Sequence, residues 1–231
     1  EVVTIRISRE NHYKITPEQL EAAITPRTKL FMFSSPCNPS GAVYSKEELA
    51  ALAEVFRKHP RIVILSDEIY EYINYVGAHQ SIARFDFLKD RVVVVNGLSK
   101  GYAMTGWRLG YIAAPLELAK AVEKIQGQFT SGTCSITQRA AIHALLSDPG
   151  PSHDMVREFE KRKNFIVKAV SDIPGVEVDV PDGAFYIFPD VSSFFGKKAD
   201  GKVIENADDL CMYLLEKGLV STVTGSAFGE P

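Results

Sequence analysis

The sequence lacks the features that mark several large classes of protein. No apolar run among its 231 residues approaches the roughly 20 residues that span a bilayer, and no secretory signal is visible. Its three cysteines, Cys37, Cys134 and Cys211, are too few and too widely spaced for a disulfide framework or a metal-binding pattern. We therefore expect reduced thiols in a cytoplasmic protein.

Other features that the sequence lacks argue against particular functions. The net charge of -3 provides no basic excess for binding nucleic acid or an anionic membrane. The five histidines show no H-x-x-x-H spacing, so no metal site is predicted. A G-x-S-x-G nucleophile elbow is also missing, which argues against a serine hydrolase.

What the sequence does contain is a lysine just beyond a predicted buried strand. Residues 92–95 are four consecutive β-branched residues, and Asn96-Gly97 is a turn signal that ends the strand. Lys100 follows, and Arg108 lies eight residues after it. Burial and a neighbouring positive charge both lower a lysine pKa, and a neutral lysine amine condenses with aldehydes. The planar guanidinium group of an arginine can donate two hydrogen bonds at once to a phosphate.

The segment G-L-S-K-G-Y-A-M-T-G-W-R-L-G, residues 97–110, resembles the lysine signature of the class I pyridoxal-phosphate (PLP) aminotransferases, the aspartate aminotransferase family. The resemblance implies that Lys100 carries PLP as an internal aldimine and that Arg108 binds the cofactor phosphate. Gly97 stands where some relatives have a phosphate-binding serine.

A second motif follows the predicted strand at residues 62–65. Ligands of open α/β sheets bind beyond the carboxyl ends of strands, and an aspartate there can keep a pyridinium nitrogen protonated. The family resemblance assigns this role to Asp67 and places the Tyr70 hydroxyl against the ring oxygen of PLP. A Walker B strand of a nucleotide hydrolase is the alternative, but the G-x-x-x-x-G-K-[ST] loop that it requires is absent.

Three further segments resemble parts of the family. S-P-C-N-P-S-G, residues 35–41, resembles its N-P-[ST]-G motif, which implies that Asn38 contacts the ring oxygen and the substrate carboxylate, with a cis bond before Pro39. P-D-G-A-F-Y resembles a motif beside the substrate pocket, although Phe185 and Tyr186 fit a core role equally well. In family dimers, a loop at the position of residues 130–133 approaches the neighbouring subunit's cofactor phosphate.

The predicted fold is α/β, a fold type I PLP-dependent transferase with a large domain whose mainly parallel sheet is flanked by helices, and a smaller α+β domain. We expect the large domain over residues 1–151 and the small one over 152–231, both incomplete. Strands are predicted at 2–7, 29–34, 62–65, 92–95, 109–114, 176–180, 184–188 and 219–223. Helices are predicted at 17–24, 46–59, 68–74, 116–126, 136–146, 152–171 and 208–217, and an exposed loop at 194–202.

The resemblance implies an enzyme of amino-acid metabolism that transfers an amino group from an L-amino acid, aspartate-like or aromatic, to a 2-oxo acid such as 2-oxoglutarate. It also implies a homodimer. The alternatives are another PLP enzyme of this fold, such as a lyase or an aminocyclopropane-carboxylate synthase type, and the PLP-binding domain of a transcription regulator.

The family's phosphate loop and ring-stacking aromatic would precede residue 1, and its carboxylate-binding arginine would follow Pro231. From this resemblance we expect an internal or C-terminal fragment of an aminotransferase that is catalytically inactive by itself.

Overall fold

The computed structural model describes residues 1–229 and is built on a four-stranded sheet; Glu230 and Pro231, the last residues of the predicted small domain, lie outside the described part. Strands β1 (Leu30–Ser34), β2 (Val63–Asp67) and β3 (Val92–Gly97) are parallel, and β4 (Gly110–Ala113) runs antiparallel to β3. The predicted α/β architecture with a mainly parallel sheet is confirmed.

Two helices begin where their capping signals predict. Helix α1 (Pro17–Ala23) starts after Thr16, and α2 (Lys46–Lys58) starts after Ser45. Each cap side chain accepts a hydrogen bond from the backbone three residues later, and the glutamine or glutamate there reaches back to the cap. These capping boxes fix the first residue of both helices.

The main core lies between α2 and the sheet. Leucines and Phe56 on one side of α2 meet the apolar side chains of the strands, and the Phe56 ring lies 5.2 Å from the Phe31 ring. Burying one such side chain contributes about 1.5–3 kcal/mol. The largest fully buried members of this cluster are Leu20, Leu49, Leu52, Phe56, Ile64, Ile82 and Leu88. This packing holds the strands in place, and the strands in turn fix the positions at which the loops at their carboxyl ends begin.

Three longer helices follow the sheet. They are α3 (Leu116–Phe129), α4 (Ser135–Leu146) and α5 (Gly150–Ser171), and each agrees with the predicted helix to within three residues. Among the described residues, no helix is both long and apolar enough to cross a membrane.

The predicted helix at residues 68–74 is wrong. The backbone there forms tight turns, in which Glu71 donates to the carbonyl of Glu68 and Ile73 donates to that of Tyr70. These are bonds to the third residue back, so no helical ladder to the fourth residue develops. The Glu68 side chain instead accepts a hydrogen bond from Ser81, and the Tyr70 hydroxyl bonds to that of Tyr186; these contacts with residues distant in the chain override the local helix propensity.

The predicted strands at 2–7, 176–180, 184–188 and 219–223 are also wrong. A strand requires a hydrogen-bonded neighbour, and in the described chain none of these segments is part of a sheet. The isolated bridges near them join Glu177 to Asp190 and, just before residue 184, Gly183 to Asn74. Ala184 has a φ of 57°, which breaks an extended course. Conversely, the loop predicted at 194–202 contains β5 (Lys198–Ala199), which pairs with β6 (Lys202–Val203).

The chain divides into two compact units. The first comprises residues 1–161 and 181–186, and the second comprises residues 162–180 and those from 187 onward. The second unit contains the β5–β6 hairpin and α6 (Ala207–Tyr213), which continues into a π-helical turn over Leu214–Gly218. The domain boundary expected after residue 151 stays a prediction.

Candidate active site

The candidate site begins with the carboxyl ends of three parallel strands. In the sheet register Ser34 pairs with Asp67, and Asp67 pairs with Val95, so the three strands end side by side. Asn38 follows β1 by four residues, Asp67 ends β2, and Lys100 follows β3 by three residues. The fold thus brings three of the five predicted site residues to one edge of the sheet.

The turn after β1 carries Asn38 on the surface. Both X–Pro bonds in it are cis, before Pro36 and before Pro39. Gly41 closes the turn with a φ of 71°, and a Cβ atom there would lie 2.3 Å from the Pro181 Cβ. This position therefore requires glycine, both for its backbone conformation and for its close approach to the segment at 181–183.

The end of β2 presents Asp67 and Tyr70. The Asp67 Oδ1 accepts a hydrogen bond of 3.1 Å from the Ile69 backbone N–H, which orients the carboxylate. Tyr70 is buried, and its hydroxyl is hydrogen-bonded to the Tyr186 hydroxyl at 2.5 Å. Burial, together with this hydrogen bond, raises the pKa of Tyr70 well above its usual range. Tyr70 is therefore a neutral hydrogen-bond donor at physiological pH.

Lys100 is half-buried against aromatic rings. Its Nζ lies 5.6 Å from the centre of the Tyr70 ring and 5.4 Å from that of Phe185. The two rings meet edge to face at 5.3 Å. The amine is thus held at the Tyr70–Phe185 pair, within range of a cation–π interaction with either ring.

Arg108 lies farther along the same connection, at an exposed position with a φ of 55°. One guanidinium N–H donates to the Thr105 carbonyl at 2.9 Å. Arg108 lines a cavity of about 830 Å³, together with Ala103, Gly106, Trp107, Gln126, Thr130, Gly132, Thr133, Cys134 and Thr137. A guanidinium among threonine residues offers the donors that a phosphate group takes.

The loop over residues 130–133 therefore lines the same cavity as Arg108 of its own chain. The other predicted residues, Asn38, Asp67, Tyr70 and Lys100, do not line this cavity. Among the described contacts, only Tyr70 and Lys100 of the five lie against each other directly.

The sequence does not decide whether Phe185 and Tyr186 belong to the pocket or to the core. In the structure Phe185 lies beside both Lys100 and Tyr70, and Tyr186 lies against Tyr70. The contact joins positions 116 residues apart in the chain, so no local pattern could reveal it. The available signal was the resemblance of P-D-G-A-F-Y to a family motif.

Comparison with known protein families matches residues 1–231 to the family described as aminotransferase class I and II. The chain belongs to this family. The match covers the Lys100 signature and the Asp67 and Asn38 motifs together, which confirms the family that the sequence resembles.

Among curated aminotransferases, a bifunctional aspartate aminotransferase and glutamate/aspartate-prephenate aminotransferase of Petunia hybrida is 45% identical over 99% of this chain. The aspartate aminotransferase of Geobacillus stearothermophilus is 45% identical over 96% of it. The crystal structure of the aspartate aminotransferase from Rhizobium meliloti matches 97% of the chain with a TM-score of 0.93 and 42% identity. The predicted fold type I architecture is thereby confirmed.

The chain spans about half the length of the aminotransferases that it matches. It corresponds to 49% of the Petunia protein, 56% of the Geobacillus protein and 57% of the Rhizobium structure.

Proposed function

We propose that the protein is a PLP-dependent aminotransferase that moves an amino group from an L-amino acid to a 2-oxo acid. The observation that carries the proposal is the placement of Lys100 at the Tyr70 and Phe185 rings, beside the strand end that bears Asp67. Family membership and relatives named as aspartate aminotransferases support it.

The groups present fit PLP by their chemistry. Lys100 supplies a primary amine for the cofactor aldehyde, and Asp67 supplies a carboxylate for the ring nitrogen. Tyr70 supplies a neutral phenol for the ring oxygen, and Arg108, in its cavity with three threonines, supplies donors for the phosphate. When bound, PLP serves as an electron sink for the bond being broken at the substrate α-carbon.

In this proposal each residue has a defined role. Lys100 Nζ would hold the cofactor and would also take the proton that leaves the substrate α-carbon. The negative charge of Asp67 would keep the ring nitrogen protonated. Tyr70 would donate a hydrogen bond to the ring oxygen. Asn38 is exposed at its turn and would contact the ring oxygen and the substrate carboxylate. Arg108 lines its cavity and would anchor the phosphate.

We propose aspartate as the donor, with aromatic amino acids next, and 2-oxoglutarate or prephenate as acceptors, because relatives are named for aspartate and prephenate. A homodimer in the cytoplasm completes the proposal. The three cysteines are free thiols in the structure, which agrees with a reducing compartment.

The test uses the complete protein with added PLP. We expect visible absorbance of the bound cofactor, and borohydride reduction followed by peptide mapping should place the adduct on Lys100. The variant Lys100→Ala should lose about 10³-fold or more in turnover, since a positioned general base contributes about 10²–10⁴. Lys46→Ala, at an exposed lysine that begins α2, is the matched control and should change nothing.

Product analysis separates the alternatives. Aspartate consumed in step with formation of glutamate from 2-oxoglutarate identifies an aminotransferase, whereas a product released without an acceptor identifies a lyase. An adduct on another lysine, or no visible absorbance in the complete protein, would overturn the proposal.

A further inference from the structure

Glu68 is a buried carboxyl group that the proposed chemistry does not use. It is 3% exposed and directly follows Asp67. Because side chains alternate along an extended chain, Ser66 and Glu68 leave the end of β2 on the side opposite to Asp67. Glu68 therefore lies behind the candidate site.

Three donors surround this carboxylate. Its Oε1 accepts hydrogen bonds from the hydroxyls of Ser66 at 2.9 Å and Ser81 at 2.7 Å. Its Oε2 is 2.8 Å from the Nε2 of His79. A buried carboxylate is tolerated only when it is bonded in this way, so these contacts are strongly coupled to the local fold.

These contacts close a loop. His79 and Ser81 lie 11 and 13 residues after Glu68, and Tyr70 lies in the segment that connects Glu68 to His79. The Glu68 backbone N–H also donates to the Val95 carbonyl at 2.9 Å, which ties the end of β2 to the strand that leads to Lys100. One residue thus anchors the segment that bears Asp67 and Tyr70 to the strand that precedes Lys100.

A second acidic group lies beside it. Glu68, Glu71 and His79 each offer a ligand-type atom, and these atoms lie within 4.8 Å of one another. Burial raises the pKa of the Glu71 carboxyl, while His79 and Asn96 act in the opposite direction. The Asn96 side-chain oxygen accepts the Gly97 backbone N–H at 2.7 Å, at the end of β3. The cluster therefore touches the ends of both strands.

We propose that Glu68 is a positioning residue of the aminotransferase site, which holds Asp67, Tyr70 and Lys100 in register through Ser66, Ser81, His79 and the β3 backbone. This inference rests on the proposed function. A displacement of about 1 Å at a reacting group costs up to about 10²-fold in rate, so a bond network directly behind Asp67 influences cofactor binding and turnover.

The decisive variant is Glu68→Gln in the complete protein. The new side-chain amide keeps one oxygen for the two serines but turns an N–H₂ group toward His79, whose Nδ1 is already buried without a partner. We expect the dissociation constant for PLP to rise about tenfold and turnover to fall about tenfold. The pH midpoint of the visible absorbance of bound PLP should also shift, because Asp67 and Tyr70 would meet the ring differently.

The matched control is Glu48→Gln. The Glu48 carboxylate also accepts hydrogen bonds, from the Ser45 backbone at 2.7 Å and from Lys14 at 2.6 Å, but it lies at the start of α2. This variant should lower the melting temperature of the protein and leave PLP affinity and the absorbance midpoint at their wild-type values.

If Glu68→Gln does not fold, Ser81→Ala removes one hydrogen bond from the same carboxylate and should weaken PLP binding about two- to threefold. One result would overturn the inference: the variant that folds, Glu68→Gln or Ser81→Ala, has the same PLP affinity and the same pH midpoint of absorbance as Glu48→Gln, within error. Failure of the proposed function is a different result, because the wild-type protein would then bind no PLP or would release product without an acceptor.

Discussion

Helices α2 and α3 have similar lengths and both carry an apolar stripe, yet they are packed in different ways. In α2 the stripe is buried, and Phe56 is 0% exposed. In α3 none of the residues is buried, and Phe129 is 84% exposed. Exposed apolar residues continue into α4, at Ile136, Ile142, Leu145 and Leu146.

The difference shows that amphipathic pattern alone does not decide packing. An apolar stripe predicts that a helix has a side to bury, but the chain must also supply the covering surface. The sheet and α1 supply it for α2. Within the described chain no element covers α3 to the same degree.

The largest expected contrast comes from one substitution made in both helices. Phe56→Ala should lower the free energy of unfolding by about 3–5 kcal/mol, because it opens a cavity in the packed core. Phe129→Ala should change it by less than about 0.5 kcal/mol, since the ring is already in solvent. Urea unfolding of the 231-residue chain followed by circular dichroism measures both.

A large loss in Phe129→Ala would contradict this contrast. It would mean that another copy of the chain covers α3 in solution, and the loss would then depend on protein concentration.

The same reasoning separates what could be predicted from sequence. The parallel strands were predicted because each is an apolar run that ends at a turn signal. The site residues in the loops that follow, Asn38, Asp67, Lys100 and Arg108, were predicted from the resemblance of these loops to the motifs of one family. The strands at 176–180 and 184–188 were not correct, because alternating residues indicate an extended chain but do not identify a partner strand. Contacts such as Tyr70 with Tyr186 and Glu68 with Ser81 join distant segments, so only the folded chain reveals them.

A smaller contrast concerns the helix starts. Ser45 caps α2 and accepts the Glu48 backbone N–H at 3.1 Å, so Ser45→Ala should cost about 1 kcal/mol. Ser135 is the exposed first residue of α4, where the preceding residue forms no side-chain cap, and Ser135→Ala should cost less than about 0.5 kcal/mol. Equal losses in the two variants, measured by urea unfolding, would show that the capping box of α2 does not contribute to stability.

The smallest expected effect is a pH dependence at the end of α2. The Glu21 carboxylate of α1 accepts hydrogen bonds from Lys58 and His59, first of all from Lys58, and these lower its pKa below the usual value of 4.5. A carboxyl whose pKa is lower in the folded state stabilises the protein above its unfolded pKa, and this stability is lost as the pH falls through the folded value.

Wild type should therefore be more stable than Glu21→Gln at pH 7, and the difference should shrink as the pH falls below about 4. The measurement is thermal unfolding of both proteins between about pH 3 and pH 7, each at low and at high salt. The site is exposed, so salt should reduce the difference at pH 7. A difference that stayed constant down to the lowest pH would mean that Lys58 and His59 do not hold Glu21 in solution. The attachment of α2 to α1 would then depend on their apolar contact alone.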